Sequence, residues 1–395
     1  MIQINDKFYS VAKSQEIAEN GECGGSLTAL MKFMLEEGII DAVLAVKSGA
    51  DLYDAVPVLI NKPEEILESA GSLHCGTLNM AKIIEKYLDG AKDIKIAVTT
   101  KPCDAMAINE LIKREKIDKD NLIMMGINCG GTLPPVPTRK TLESNGINPD
   151  MVFNEEISNG KFIFEIEGNE KEEFSIDALE SQGNGRRQNC MRCEFNIPEM
   201  SDIAFGNWGV IKGFEGKFTF IEVFSKKGAE ILEEASKKDI LSLKNAPDEG
   251  IEERKKIDKI MVNLAKKWQN EQFTHVAGDF LSILFNYDDE LAKCIKCFGC
   301  KEACPICYCN ECSLTSEIPE WVNNTEIPPK PLFHMERLMH MADSCINCGQ
   351  CEEVCPADIP LSKISHEINI KIREIFNYTP GVDDKKPPFS YLDNK

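Results

Sequence analysis

Apolar positions along the first half of the chain recur in two rhythms. In GGSLTALMKFMLEEG, Leu27, Leu30, Met31, Met34 and Leu35 fall three or four residues apart, which marks one face of a helix with Ser26 as its N-cap and Gly38 as its stop. IIDAVLAVK (39–47) follows as a strand. DIKIAVTT (93–100) reads as a strand that opens through KPCD into an amphipathic helix bearing Met106, Ile108, Leu111 and Ile112, and NLIMMGINCGG (121–131) is a further strand ending in a glycine loop. Alternation of this kind to about residue 225 predicts an α/β fold with a mainly parallel sheet, helices on its faces and ligands where strands end.

The rhythm changes at SKKDILSLKNAPDEGIEERKKIDKIMVNLAKKWQNEQF (236–273), a charged stretch of helical pattern after Pro247 with no cofactor signal. It reads as a spacer. Beyond it the apolar pattern gives way to cysteine, and KKPPFSYLDNK at the end reads as a surface-hugging or disordered tail. Four units are expected: 1–235, a helical spacer 236–284, a cysteine-rich α+β module 285–375, and a tail 376–395.

At 395 residues and 43% hydrophobic, the chain is long enough for a large core plus a smaller module. Its best apolar run, GIIDAVLAV, is broken by Asp41, which argues against a membrane span. MIQINDKFYSVAK places Asn and Asp where a signal peptide needs an apolar run, so a cytoplasmic protein is expected. Thiols stay free there, and 17 cysteines then point to metal. The net charge of −20 repels polyphosphate backbones and argues against nucleic acid as a partner.

Cys294, Cys297, Cys300 and Cys304 follow C-x2-C-x2-C-x3-C with Pro305 next; Cys345, Cys348, Cys351 and Cys355 repeat the spacing before Pro356. This is the signature of a two-cluster ferredoxin, in which three close thiolates wrap one 4Fe-4S cube and the fourth reaches the other. Cys294, Cys297, Cys300 and Cys355 are therefore assigned to one cluster, and Cys345, Cys348, Cys351 and Cys304 to the other. A zinc ribbon closes with C-x2-C pairs, and two full runs argue against it. Cys307, Cys309 and Cys312, in the long segment 305–344 between the runs, have no assigned role.

Gly24, Gly25 and Ser26 leave backbone amides free at a helix start, either a seat for a pyrophosphate or an ordinary helix N-terminus. No G-x-G-x-x-G occurs, so the usual dinucleotide fingerprint is absent.

Four stretches in order, Cys23 to Asp41, TTKPCDAMAINEL (99–111), GINCGGTLPP (126–135) and RRQNCMRCEFNIPEMSDIAFGNWG (186–209), resemble the beta subunits of coenzyme F420-reducing hydrogenases and F420-dependent dehydrogenases. With CPICYCNEC in the ferredoxin module, the chain is most similar to the formate dehydrogenase beta subunits of methanogens. The resemblance implies a flavin domain holding FAD, one 4Fe-4S cluster beside it, and hydride exchange with F420. It implies flavin contacts from Gly24, Gly25, Ser26, Thr28, Ser72, Thr99, Lys101, Pro102, Asn128, Gly130 and Asn207. At SAGSLHCGTLN (69–79) the chain departs from the family, which more often has an aromatic after the Ser; Cys75 there is unassigned.

The residues themselves agree. Cys190 and Cys193 form a C-x2-C pair after GRRQN, and Cys103 and Cys129 each sit at a strand end. Four thiolates from three loops at one sheet edge suit a third cube; the alternatives are separate buried thiols, or Cys23 as a ligand. The flavin is needed because F420 exchanges hydride while clusters pass single electrons. No residue is expected to act as a covalent catalyst. Basic anchors for the anionic F420 tail are sought in Arg139 and Lys140, or Arg186 and Arg187. The five histidines lack metal-ligand spacing and are read as structural. No ligand set for molybdenum or tungsten is apparent, so formate would be oxidised on a catalytic alpha subunit carrying that metal. A heterodisulfide reductase complex is the alternative assembly, and a wiring subunit without flavin chemistry the non-enzymatic one. Three cubes predict about twelve irons per anaerobically purified chain; eight would remove the cluster beside the flavin.

Overall fold

The computed structural model of the chain describes residues 1–76, 78–158, 160–168, 170–273, 279–323 and 325–393. Residues 274–278 of the expected spacer and the last two of the expected tail lie outside it. Eleven strands occur among the described residues: β1 (Lys7–Ala12), β2 (Ala42–Ser48), β3 (Ala55–Ile60), β4 (Ile96–Thr100), β5 (Leu122–Ile127), β6 (Val152–Ser158), β7 (Lys161–Ile166), β8 (Glu170–Ser175), β9 (Ile203–Gly206), β10 (Thr219–Val223) and β11 (Leu241–Asn245). Eight form one sheet in the order β11-β1-β10-β9-β5-β4-β2-β3, and β6, β7 and β8 form a separate antiparallel sheet.

Parallel pairing holds at the centre of the large sheet, from β9 through β5 and β4 to β2, while the flanking strands pair antiparallel. Burial on both faces explains why β4 and β5 read as continuous apolar runs. Successive residues nevertheless divide between two cores. Val43, Ala45, Ala97, Ile123 and Met125 face helix α1 (Ser26–Glu36), whereas Ala42, Leu44, Ile96, Val98, Leu122 and Met124 face helix α2 (Pro102–Lys113). Helix α2 starts on Pro102 and is closed by the Asp104 carboxylate, which accepts from the Lys101 amide at 2.9 Å.

Three elements differ from the sequence expectation. The small sheet 152–175 packs Phe162 and Phe164 against Tyr53, Leu133 and Leu142, and buries Cys75, whose thiol donates to Glu155 at 3.2 Å; Cys75 is thus a packing residue. The first residues of the expected spacer belong to the sheet, as edge strand β11 beside β1. The remainder, helix α3 (Asp248–Gln272), clamps the sheet module: Arg254 reaches Glu222 at 3.0 Å, Trp268 donates to Glu180 at 2.8 Å, and Gln269 donates to the Arg192 carbonyl at 2.9 Å.

The cysteine module carries helix α4 (Pro331–Met341) and helix α5 (Leu361–Phe376). Its two cysteine runs turn alike, with left-handed backbone at Lys296 and Phe298 in the first and at Asn347 and Gly349 in the second. This is the tight winding that brings three thiols of one run together. Gly349 is required for a second reason: a Cβ there would stand 2.2 Å from the Asn189 side chain.

The expected tail is partly pinned. Tyr378 donates to Glu110 at 2.6 Å, the Gly381 amide donates to the same oxygen at 2.5 Å, and Lys113 pairs with it at 2.6 Å, so one oxygen of a fully buried carboxylate draws donors from residues far apart in sequence. Tyr378→Phe removes one donor and is expected to cost about 1–2 kcal/mol. A fall of a few degrees in the thermal midpoint should report this; an unchanged midpoint would mean that the segment contributes nothing to holding α2.

Candidate functional site

The C-terminal ends of the parallel strands open onto a cavity of about 330 Å3, a size suited to a cofactor. Thr99 ends β4, Asn128 and Cys129 follow β5, and Asn207 and Trp208 follow β9; each lines the cavity, with the start of α1 closing one side. Ser26 is not the cap of α1. Gly25 holds that position with φ +67°, no side chain caps the helix, and the Ser26 hydroxyl turns to Ser10 at 2.9 Å. The first-turn amides of α1 are thereby left to a ligand.

Of the residues expected to touch a flavin, Gly25, Ser26, Thr28, Ser72, Thr99, Lys101, Asn128, Gly130 and Asn207 line this cavity. Gly24 and Pro102 are not on its wall. A Cβ on Gly24 would meet the Lys217 carbonyl at 2.6 Å, so this glycine serves a backbone contact, and Pro102 is the buried first residue of α2. The wall is mixed, with Leu27, Met31, Leu78, Ile157 and Trp208 among its apolar members. Both polar atoms of the Asn128 amide are buried without a partner, and so is Nδ1 of His74, another wall residue. Unpaired buried polar atoms are costly, so these residues fit a polar ring system that would pair them. His74 escaped the sequence reading because nothing in its spacing distinguishes it.

Cys129 belongs to this wall and to a group of four. Cys190 acts electrostatically on it, Cys193 lies within reach of both, and Cys103 lies within reach of Cys129 and of Cys348 in the ferredoxin module. Cys23 also lines the cavity, but its strongest neighbours are Glu22, Thr219 and Glu156. In the ferredoxin module Cys294, Cys297, Cys300 and Cys355 surround one small cavity, the crossed set that the spacing predicts. Cys348, Cys307, Cys351 and Cys345 act on Cys304. Among the described residues no three His, Cys, Asp or Glu side chains converge on a point tightly enough for a single metal ion.

Burial, reinforced by neighbouring thiols, pushes Cys193 and Cys348 up to about 12 and Cys129 to about 11. Buried thiols of this kind need a cationic centre to draw off their protons.

The four basic residues sought as F420 anchors are placed otherwise. Arg139 pairs with Asp51 and with Asp150 at 2.9 Å, and Lys140 is exposed on the helix Pro135–Ser144, away from the cavity. Arg186 is buried against Glu180 at 2.5 Å and donates to the Gly130 carbonyl at 2.8 Å, which shapes the glycine loop. Arg187 crosses to the ferredoxin module, donating to Glu353 at 2.8 Å and to the Cys348 carbonyl at 3.2 Å. The lysines on the cavity wall are Lys47, paired with Glu68 at 2.6 Å, and Lys101, which donates to the Leu78 carbonyl at 3.0 Å. Of the histidines read as structural, His334 lines the Cys294 cavity.

Comparison with known proteins adds the following. Residues 8–85 and 93–249 match the N-terminal and C-terminal parts of the coenzyme F420 hydrogenase/dehydrogenase beta subunit family, and residues 290–359 match a 4Fe-4S dicluster domain. The chain is 46% identical to the F420-dependent formate dehydrogenase subunit beta of Methanocaldococcus jannaschii, over 95% of this chain and 97% of that protein. It is 43% identical to the F420-dependent formate dehydrogenase 1 subunit beta of Methanococcus maripaludis, over 97% of each. Similarity to the coenzyme F420 hydrogenase subunit beta of Methanococcus voltae is 26%, over 66% of this chain and 90% of that one. A chain of the F420-reducing NiFe hydrogenase complex from Methanosarcina barkeri shares the fold, with a TM-score of 0.57 at 21% identity, covering 69% of this chain and 95% of that one.

Gly25 supplies the test for this region. Its Cβ would point at the Ile17 carbonyl, 2.3 Å away, rather than into the cavity, so the glycine answers first to backbone packing and to its left-handed φ. Gly25→Ala is expected to destabilise the chain by about 1 kcal/mol or more, read as a lowered thermal midpoint, with the cavity empty and with it loaded alike. A loss confined to the loaded protein would restore ligand contact as the reason for the glycine.

Proposed function

Because the chain belongs to the coenzyme F420 hydrogenase/dehydrogenase beta subunit family, as an oxidoreductase subunit with a 4Fe-4S dicluster domain at its C-terminal end, we propose that it is the beta subunit of an F420-dependent formate dehydrogenase, carrying electrons between three 4Fe-4S clusters and an FAD that exchanges hydride with F420. One observation carries the reading: Cys129 is at once a wall of the cavity and a member of the four-cysteine group, and that group adjoins Cys348 of the ferredoxin module. The cavity and three cysteine sets thus form one unbroken series. Formate dehydrogenase is favoured over hydrogenase because the similarity to the formate dehydrogenase subunits runs through the ferredoxin module, whereas that to the hydrogenase subunit covers two thirds of the chain.

FAD, when bound, supplies the change between hydride transfer and single-electron steps. The chain's own residues supply position and environment. The first-turn amides of α1 are the donors suited to the diphosphate. Gly206 leaves room for the amide of Asn128: a Cβ there would stand 2.4 Å from its nitrogen. Ile157 and Trp208 exclude water from the same wall. Cys103, Cys129, Cys190 and Cys193 are the ligands proposed for the cluster beside the flavin, and the two crossed sets are those proposed for the ferredoxin clusters. The partner is then a catalytic subunit that oxidises formate at molybdenum or tungsten. Among the described residues no helix is long and apolar enough to cross a membrane.

Replacing one ferredoxin ligand separates wiring from flavin chemistry. In Cys348→Ala, F420H2 is expected to bleach the flavin in a single turnover as it does in the unaltered chain, while delivery to an external one-electron acceptor falls by roughly a hundredfold or more. Loss of flavin bleaching in a folded, flavin-loaded variant would show that the division of labour is wrong. Reduction of the unaltered chain by NADPH but not by F420H2 would sink the F420 reading itself.

A further inference from the structure

The segment between the two cysteine runs, residues 305–344, is longer than the joining of two cluster loops needs, and it delivers helix α4 against both cysteine sets. On one face of α4, Phe333, His334 and Arg337 line the cavity of Cys294, Cys297, Cys300 and Cys355. One turn further on, the Met341 sulfur lies 3.9 Å from that of Cys304 in the other set. Arg337 reaches both. Cys300 is the neighbour that acts on it most strongly, followed by Cys351 and Cys304, and it acts in turn on Cys345. Its Nε is buried without a partner. Arg187 and Arg114, also drawn into the module interface, each meet a carboxylate, Glu353 at 2.8 Å and Asp343 at 3.3 Å, and Arg192 meets the Ser362 hydroxyl at 2.8 Å. Arg337 is surrounded by sulfur instead.

We propose that Arg337 is a fixed cation shared by the two ferredoxin clusters, which raises the reduction potential of both and keeps them level for electron exchange. The inference rests on the assignment of these eight cysteines to two 4Fe-4S clusters. A cube held by four thiolates is anionic and gains one further negative charge when it takes up an electron, with no bond made or broken. A guanidinium stays charged at any working pH. Arg337 is half-buried with its Nε shut off from solvent, so its field is screened less than in bulk water, and the reduced state of either neighbour is favoured over the oxidised one. A cation drawn partly out of water is unfavourable unless something negative answers it, and the two anionic clusters are that answer.

Potentiometric titration of the full chain followed by electron paramagnetic resonance, with iron and flavin counted in every sample, decides the matter. In Arg337→Met both ferredoxin clusters are expected to fall in potential by about 59 mV or more, a tenfold change in the one-electron equilibrium. Arg337→Lys should move them by less than half as much, and the cluster proposed beside the flavin should stay where it is. Unmoved potentials at full iron content, equal shifts in the Lys and Met variants, or a shift in only one cluster would each overturn the proposal. If the Met variant fails to hold iron, Arg337→Gln is read by the same criteria, and loss of iron from the Met, Gln and Lys variants alike would make Arg337 a structural residue and overturn it too. Failure of the cluster assignment is a separate result: the unaltered chain would then lack the paired signals of two neighbouring 4Fe-4S clusters.

Discussion

Everything downstream of the cavity depends on one apolar core that two modules share. Ile306, Ile346 and Cys348 of the ferredoxin module are buried in the same cluster as Met80, Ile84, Ala105, Ile108 and Leu111 of the sheet module, with Cys103, Cys304 and Cys345 packed at its edge. Interiors are close-packed and do not deform continuously, so this core fixes the separation between Cys103 and the second ferredoxin set as firmly as a strand pairing fixes its neighbour. A relay of single electrons needs its stations at constant distance. Here that constancy comes from burial rather than from covalent links.

Polar contacts then set the orientation. Asn189, next to Cys190, donates to the Cys348 carbonyl at 2.8 Å, and Arg192 donates to Ser362 at 2.8 Å on α5. Together with Arg187 and Glu353 these contacts run from the loop of one proposed cluster to the loop of the next. Removing one partner of such a buried pair is far more damaging than the pair's net contribution suggests, because it leaves a desolvated group unanswered. The GRRQN sequence, which looks like a basic spot for an anion, therefore works as a hinge pin. Arg186 holds the glycine loop beside the cavity and Arg187 holds the neighbouring module.

The cavity follows from strand order. Parallel strands β4, β5 and β9 end on the same side, so the loops after them converge, and the unpaired amides of Asn128 and of the α1 start face one volume. Helix α3, read from sequence as an inert spacer, braces this region through Glu180, which accepts from Trp268 while holding Arg186.

Local signals were sufficient wherever the chemistry is set by neighbours in sequence. The C-x2-C-x2-C-x3-C runs specify their own tight winding, and the expected crossed set Cys294, Cys297, Cys300 and Cys355 lies around one cavity. Apolar periodicity likewise identified α1, α2 and the central strands, since each buries its own repeat. Tertiary structure decided what depends on distant partners. It placed β11 at the sheet edge, because an edge strand of five residues carries too short a pattern to stand out from a charged stretch. It showed that Arg139, Arg186 and Arg187 are already paired, since no spacing reveals which carboxylate a guanidinium will meet. It turned Gly25 toward Ile17 rather than toward a ligand, and it brought Arg337 between two sets of thiols. A sequence states which groups a chain can offer; which of them face each other is settled by the packing of segments hundreds of residues apart.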